Sequence, residues 1–89
     1  MAMNREKLID NMTDNLPVLR AKLNMTQEDL ANKIGLSRGT IISIENNKRT
    51  MTWSTFMSLV LLFSYNEKTN KLLEVMDIFT EDLHKYLEE

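Results

Sequence analysis

The chain has 89 residues, a net charge of −2, 43% apolar residues and no cysteine. That is one small domain able to fold alone, with no disulfide or thiolate chemistry, as expected of a protein of the reducing cytoplasm. No signal peptide is recognisable and the apolar run Phe56–Phe63 is far too short to span a bilayer, so no membrane partner is expected.

Two glycines, one proline and no stretch of alternating apolar residues predict an all-α chain. Met1 and Ala2 ahead of Met3 read as an added start, with Met3 as the natural first residue. Residues 1–13 are expected to be an N-terminal arm or a short helix, carrying Leu8, Ile9 and Met12. Asp14 or Asn15 is expected to cap the next helix, with Pro17 tolerated in its first turn. Leu16, Leu19, Ala21 and Leu23 supply its apolar contacts, and Asn24 ends it in the left-handed region.

The most informative segment follows. Thr26 is a good N-cap, and Asp29 three residues on suits the return bond of a capping box. Leu30, Ala31 and Ile34 share one helical face, and Gly35 stops the helix where positive φ is needed. Leu36 turns inward and Ser37 caps a second helix reaching about Asn46. Its inner face holds Ile41, Ile44 and the stem of Glu45. Its outer face holds Ser37, Arg38, Thr40, Ser43 and Asn47, with Gly39 among them. An ordinary solvated face is richer in Glu, Lys and Gln, whereas short hydrogen-bonding side chains suit a helix lying against base edges and phosphates.

Thr-Gln-Glu-Asp-Leu-Ala at 26–31, Ile-Gly-Leu-Ser at 34–37 and Ile-Glu-Asn-Asn-Lys at 44–48 resemble the Cro/cI-type, or Xre-like, helix-turn-helix family of phage and bacterial repressors. The resemblance extends less strongly over roughly Leu16 to Tyr65. It implies a five-helix, lambda-repressor-like DNA-binding domain, here with a C-terminal helical extension. It also implies roles: Gln27 as a phosphate contact, Ser37, Arg38, Gly39, Thr40 and Ser43 facing DNA, and Asn47, Lys48 and Arg49 gripping the backbone from the following loop. Arg20 and Glu45 match an internal salt bridge of the family. Gly39 stands where a base-reading side chain is common, and Asn47 where Gly is usual. Arg38 is the best candidate for reading guanine, since Arg can donate to both O6 and N7. A phosphate contact is its plainer alternative.

Charge is distributed accordingly. Residues 20–50 carry six basic and three acidic groups, net +3, while residues 1–19 sum to −1 and residues 51–89 to −4. Positive charge concentrates where phosphate would lie.

Thr52 is expected to cap a further helix at roughly Trp53–Phe63. Trp53, Phe56, Met57, Leu59, Val60 and Phe63 match core positions of the family. Leu61 and Leu62 do not, so this helix is apolar nearly all round and both sides should be covered, by the C-terminal extension or by another subunit. With residues 14–65 as the DNA-binding domain, residues 66–89 form that extension. Leu72, Met76, Phe79, Leu83 and Tyr86 recur at steps of 4, 3, 4 and 3, a heptad-like seam widened by Val75 and Leu87, although Thr80 could also restart a helix after a bend.

No phosphate loop, no nucleophile with a base at a telling distance and no glycine-rich cradle is present, so the chain reads as a non-enzyme without cofactor. His84 among Glu81, Asp82 and Glu88 is a solvated tail before it is a metal site. Trp53 is core before it is a platform for bases. The expected function is a DNA-binding transcriptional regulator acting as a homodimeric repressor on double-stranded DNA. The alternative is the antitoxin, or protein-interaction module, of a toxin–antitoxin pair.

Overall fold

In the computed structural model, which describes residues 3–89, the chain forms six α-helices. They are α1 (Arg5–Lys22), α2 (Gln27–Ile34), α3 (Arg38–Glu45), α4 (Trp53–Tyr65), α5 (Leu72–Val75) and α6 (Glu81–Glu88), with no strand among the described residues. The expectation of an added start falls on Met1 and Ala2, which lie outside the described residues.

The first helix corrects the sequence reading. There is no new start at Asp14 or Asn15: α1 begins after Asn4, whose side chain accepts from the Lys7 amide at 3.1 Å, and runs unbroken across the expected boundary at 13/14. Pro17 therefore sits inside the helix, where it forfeits one backbone bond. The apolar stripe explains why that loss is tolerated. Leu8, Met12, Leu16 and Leu19, four, four and three residues apart, are all buried, with Ile9 beside them. Fully burying side chains of this size stabilises by roughly 2 kcal/mol each, which together outweigh the cost of an interior proline, about 3 kcal/mol for the lost bond and the clash of its ring with the preceding turn. Ala21, expected to contribute, is exposed.

The caps around α2, α3 and α4 stand as read. Thr26 and Asp29 form the reciprocal box, Gly35 takes φ +76°, and Ser37 and Thr52 cap α3 and α4. Asn24 and Asn47 adopt φ values of 54° and 60°. Phe56, Leu59, Val60 and Phe63 of α4 are buried together with Leu30, Ala31, Ile41 and Ile44, while Trp53 and Met57 are partly covered. Beyond α4, the Thr69 hydroxyl is fully buried and donates to the Phe63 carbonyl at 2.7 Å, fixing the turn out of the helix.

The heptad-like seam does not form. Asp77 at φ 55° breaks the extension into the four-residue α5 and the separately capped α6, so the helical register is lost between them. Of the seam only Leu83 is fully buried, and Leu73 and Ile78, which lie outside it, are buried with it. Leu72, Met76 and Phe79 are partly covered, and Val75 is exposed. Thr80 does restart a helix, accepting from the Leu83 amide at 3.2 Å. The extension thus packs into the core of its own chain. Arg5, Trp53 and Tyr86 close it against α1: the Arg5 guanidinium lies 4.7 Å above the Trp53 ring and donates to the Tyr86 hydroxyl at 3.2 Å. No described helix is long and apolar enough to cross a membrane.

Candidate nucleic-acid interface

The arrangement of α2 and α3 follows from two short caps. Gly35 in the left-handed region turns the chain, Leu36 goes inward, and Ser37 starts α3 only three residues after Ile34 ends α2. Ile41 and Ile44 bind α3 to the core at 0% and 1% exposure, which leaves its opposite face outward.

That outward face is polar and mostly short-chained. Arg38 and Gly39 are exposed on the first turn, and Ser43 is half-buried one turn on. A Cβ at Gly39 would meet nothing nearer than the Ser37 Oγ at 4.0 Å, so the glycine leaves an open patch on the helix surface. Thr40 is less available than its position suggested. It is half-buried, its hydroxyl shares a 2.9 Å hydrogen bond with Ser37 Oγ, and it accepts from Arg49 Nη1 at 3.4 Å. Asn47, in the left-handed region, brings the chain back so that the Lys48 and Arg49 amides donate to the Ser43 carbonyl at 2.9 and 3.3 Å. The two cations are thereby carried beside the end of α3, both exposed. The candidate residues Ser37, Arg38, Gly39, Thr40, Ser43, Asn47, Lys48 and Arg49 thus lie on α3 and the loop folded back on it.

Gln27 stands apart from that loop but is joined to α3. Its amide donates to Glu45 Oε1 at 3.1 Å. The same carboxylate receives Arg20 Nε at 2.7 Å and Nη2 at 2.9 Å, while Arg20 Nη1 donates to the Met25 carbonyl at 3.0 Å. The expected internal pair is present and tightly made, and hydrogen bonding to Glu45 holds the Arg20 pKa above its ordinary value. Backbone and side-chain bonds from Thr26 pull Asp29 below the ordinary carboxylate range.

Two features escaped sequence reasoning. Ile42 is only partly buried and is not packed against the core, although Ile41 and Ile44 on either side are. It lies one turn beyond Arg38 on the same side of α3. The only signal was a third isoleucine where the inner face needs two. Asp10 and Asp14 of α1 line a polar hollow of about 290 Å³ with Asn47 and Arg49. Their i, i+4 spacing was legible; their destination was not, because the break expected at Asp14 separated them. His84 pairs with Glu88 at 2.6 Å on the exposed face of α6.

A helix-turn-helix domain family model matches residues 15–78. An uncharacterized HTH-type transcriptional regulator of Archaeoglobus fulgidus is 35% identical over 71 residues, covering 80% of this chain and 92% of that protein. A second, of Methanocaldococcus jannaschii, is 57% identical over 37 residues, 42% of this chain, and the chain spans only 56% of that protein's length. No solved structure gave a significant match.

Proposed function

The chain belongs to the helix-turn-helix domain family, and from that membership we propose that it is a sequence-specific DNA-binding transcriptional regulator, a homodimeric repressor that lays α3 in the major groove. The observation that carries this reading is the outer face of α3. It is polar, short-chained and open at Gly39, with exposed Lys48 and Arg49 folded against its end. Arg38 reads guanine, and Ile42 offers an apolar contact to a thymine methyl group. Gln27, Asn47, Lys48 and Arg49 hold phosphates, with Arg49 steadied through Thr40. Ser37 and Ser43 supply hydroxyls. Two copies place their α3 helices in successive major grooves about 10 bp apart.

A second reading, the antitoxin of a toxin–antitoxin pair, is favoured by one observation: Leu61 on α4 is 72% exposed, an uncovered apolar surface a protein partner would bury. The two readings share the DNA-binding helix.

Selection of binding sites from random duplex DNA at about 150 mM salt tests the proposal. A palindrome with half-sites one turn apart is expected, with one guanine per half-site losing its preference in Arg38→Ala. Folded protein that enriches no sequence overturns it.

A further inference from the structure

A glycine stands at the outermost point of α3. At ~3.6 residues per turn, the direction opposite the buried Ile41 and Ile44 passes through Gly39, with Ile42 and Ser43 on either side in the next turn. A Cβ at Gly39 would meet nothing nearer than 4.0 Å, so the surface there is a shallow notch floored by backbone.

Ile42 walls this notch on the Arg38 side. Helical side chains lean toward the N-terminus, so Ile42 covers the surface beside Gly39 and Arg38. It is half-buried, yet it takes no part in the core cluster that holds Ile41 and Ile44. Within the chain, an apolar wall next to a space of methyl size serves no packing role.

The same helix lacks a free group that reads cytosine. In the major groove cytosine is marked by its amino group, which a carboxylate accepts. The one carboxylate of α3 is Glu45, and both of its oxygens are taken. Oε2 receives Arg20 Nε at 2.7 Å, and Oε1 receives Arg20 Nη2 at 2.9 Å and the Gln27 amide at 3.1 Å. The Ser43 hydroxyl can bond to either pyrimidine and so does not separate them. What remains to separate pyrimidines is apolar contact at ring carbon C5. Thymine carries a methyl group there, 5-methylcytosine carries the same group on the same atom, and cytosine carries only hydrogen.

We propose that α3 senses the methylation state of its DNA: beside the guanine held by Arg38 it accepts thymine or 5-methylcytosine and rejects cytosine. This rests on the DNA-binding reading above and adds to it a chemical modification of the ligand. Binding to a cytosine-containing site becomes conditional on prior methylation of that base. Both contacts can be made at once. Cβ atoms four residues apart on one helix face lie ~6 Å apart, under two base-pair steps of ~3.4 Å, so Arg38 and Ile42 reach neighbouring base pairs.

Duplexes carrying the selected site, altered at C5 of a single pyrimidine, test this. Deoxyuridine in place of thymine removes the methyl group and leaves every hydrogen-bonding group unchanged. At the pyrimidine next to the Arg38-dependent guanine, deoxyuridine should weaken binding about fourfold, the worth of one buried methyl group. At the same position 5-methylcytosine should bind about fourfold more tightly than cytosine. In Ile42→Ala both preferences should vanish while the protein still binds the site, with little change in melting temperature because Ile42 lies outside the core. Gly39→Ala fills the notch and should lower affinity for the methylated duplexes more than for the unmethylated ones. A merely structural role for Ile42 would weaken all duplexes alike and leave the preferences standing, which overturns the proposal. Equal binding of the thymine and deoxyuridine duplexes by the parent protein overturns it as well, and leaves the DNA-binding reading intact because a site has been selected. Folded protein that selects no site removes that reading and this proposal with it.

Discussion

Arg20 near the end of α1 and Glu45 in the last turn of α3 are joined by two parallel hydrogen bonds of 2.7 and 2.9 Å, with the Glu45 side chain only 6% exposed. Because Gln27 donates to the same carboxylate, this one group ties three helices at the edge of the candidate interface. Its removal separates two energies, that of the pair and that of a charge left buried alone.

Glu45→Ala leaves the Arg20 guanidinium facing an empty site at 17% exposure, and should lower stability by about 3 kcal/mol. The double variant Arg20→Met with Glu45→Met removes both charges at similar volume and should recover most of that loss. Urea unfolding of the single and double variants checks this. A double variant no more stable than the single would mean that the pair itself, rather than the uncompensated charge, carries the stability.

Asp29 gives a pH dependence of known sign. Its folded pKa is lowered by the hydrogen bonds from Thr26. The stabilisation is therefore fully present above the unfolded value of about 3.9 and is lost as pH falls through the lower folded value. Asp29→Asn keeps an acceptor for the Thr26 amide but cannot titrate there. Its melting temperature should fall less steeply than that of the parent between about pH 4 and pH 2. Parallel acid limbs would show that the box adds nothing pH-dependent.

The parts legible in the sequence are those governed by local chemistry. Caps at Thr26, Ser37, Thr52 and Thr80, and left-handed residues Asn24, Gly35 and Asn47, each depend on a few neighbouring atoms. The resemblance added Arg20–Glu45, a pair 25 residues apart that no local rule finds. The misreadings came where a local signal competed with burial. Pro17 suggested a helix start, yet the stripe from Leu8 to Leu19 carries α1 through it. The seam from Leu72 to Tyr86 assumed one continuous helix, and Asp77 at positive φ resets the register so that Leu73 and Ile78 go inward. The helical spacing puts Thr40 on the outward face, and only the folded-back loop shows Arg49 reaching it.

Gly39 separates folding from binding. A methyl group there has open space, and Gly→Ala inside a helix is worth roughly 1 kcal/mol, so Gly39→Ala should stabilise the protein by about that amount. If the α3 backbone approaches DNA closely at this point, the same methyl group should weaken binding to the selected site. Thermal unfolding and titration of the selected duplex read the two effects independently. Higher stability with unchanged affinity would mean that the open patch faces water in the complex.

Asp10 and Asp14 should restrain affinity without shaping specificity. Both line the hollow that contains Asn47 and Arg49, so a phosphate held by Arg49 would feel two like charges nearby. At ~8 Å in water each repulsion is about 0.5 kcal/mol before screening, and at 0.15 M salt that separation is about one Debye length. Asp10→Asn with Asp14→Asn should therefore raise DNA affinity by about twofold at physiological salt and by up to about fivefold at low salt. The increase should be the same for selected and random duplexes, because phosphates carry no sequence information. An increase confined to the selected site would mean that these carboxylates act by repositioning α3. No increase at any salt would mean that DNA does not approach the loop on the α1 side, and that Arg49 is directed instead by Thr40 toward the groove beside α3.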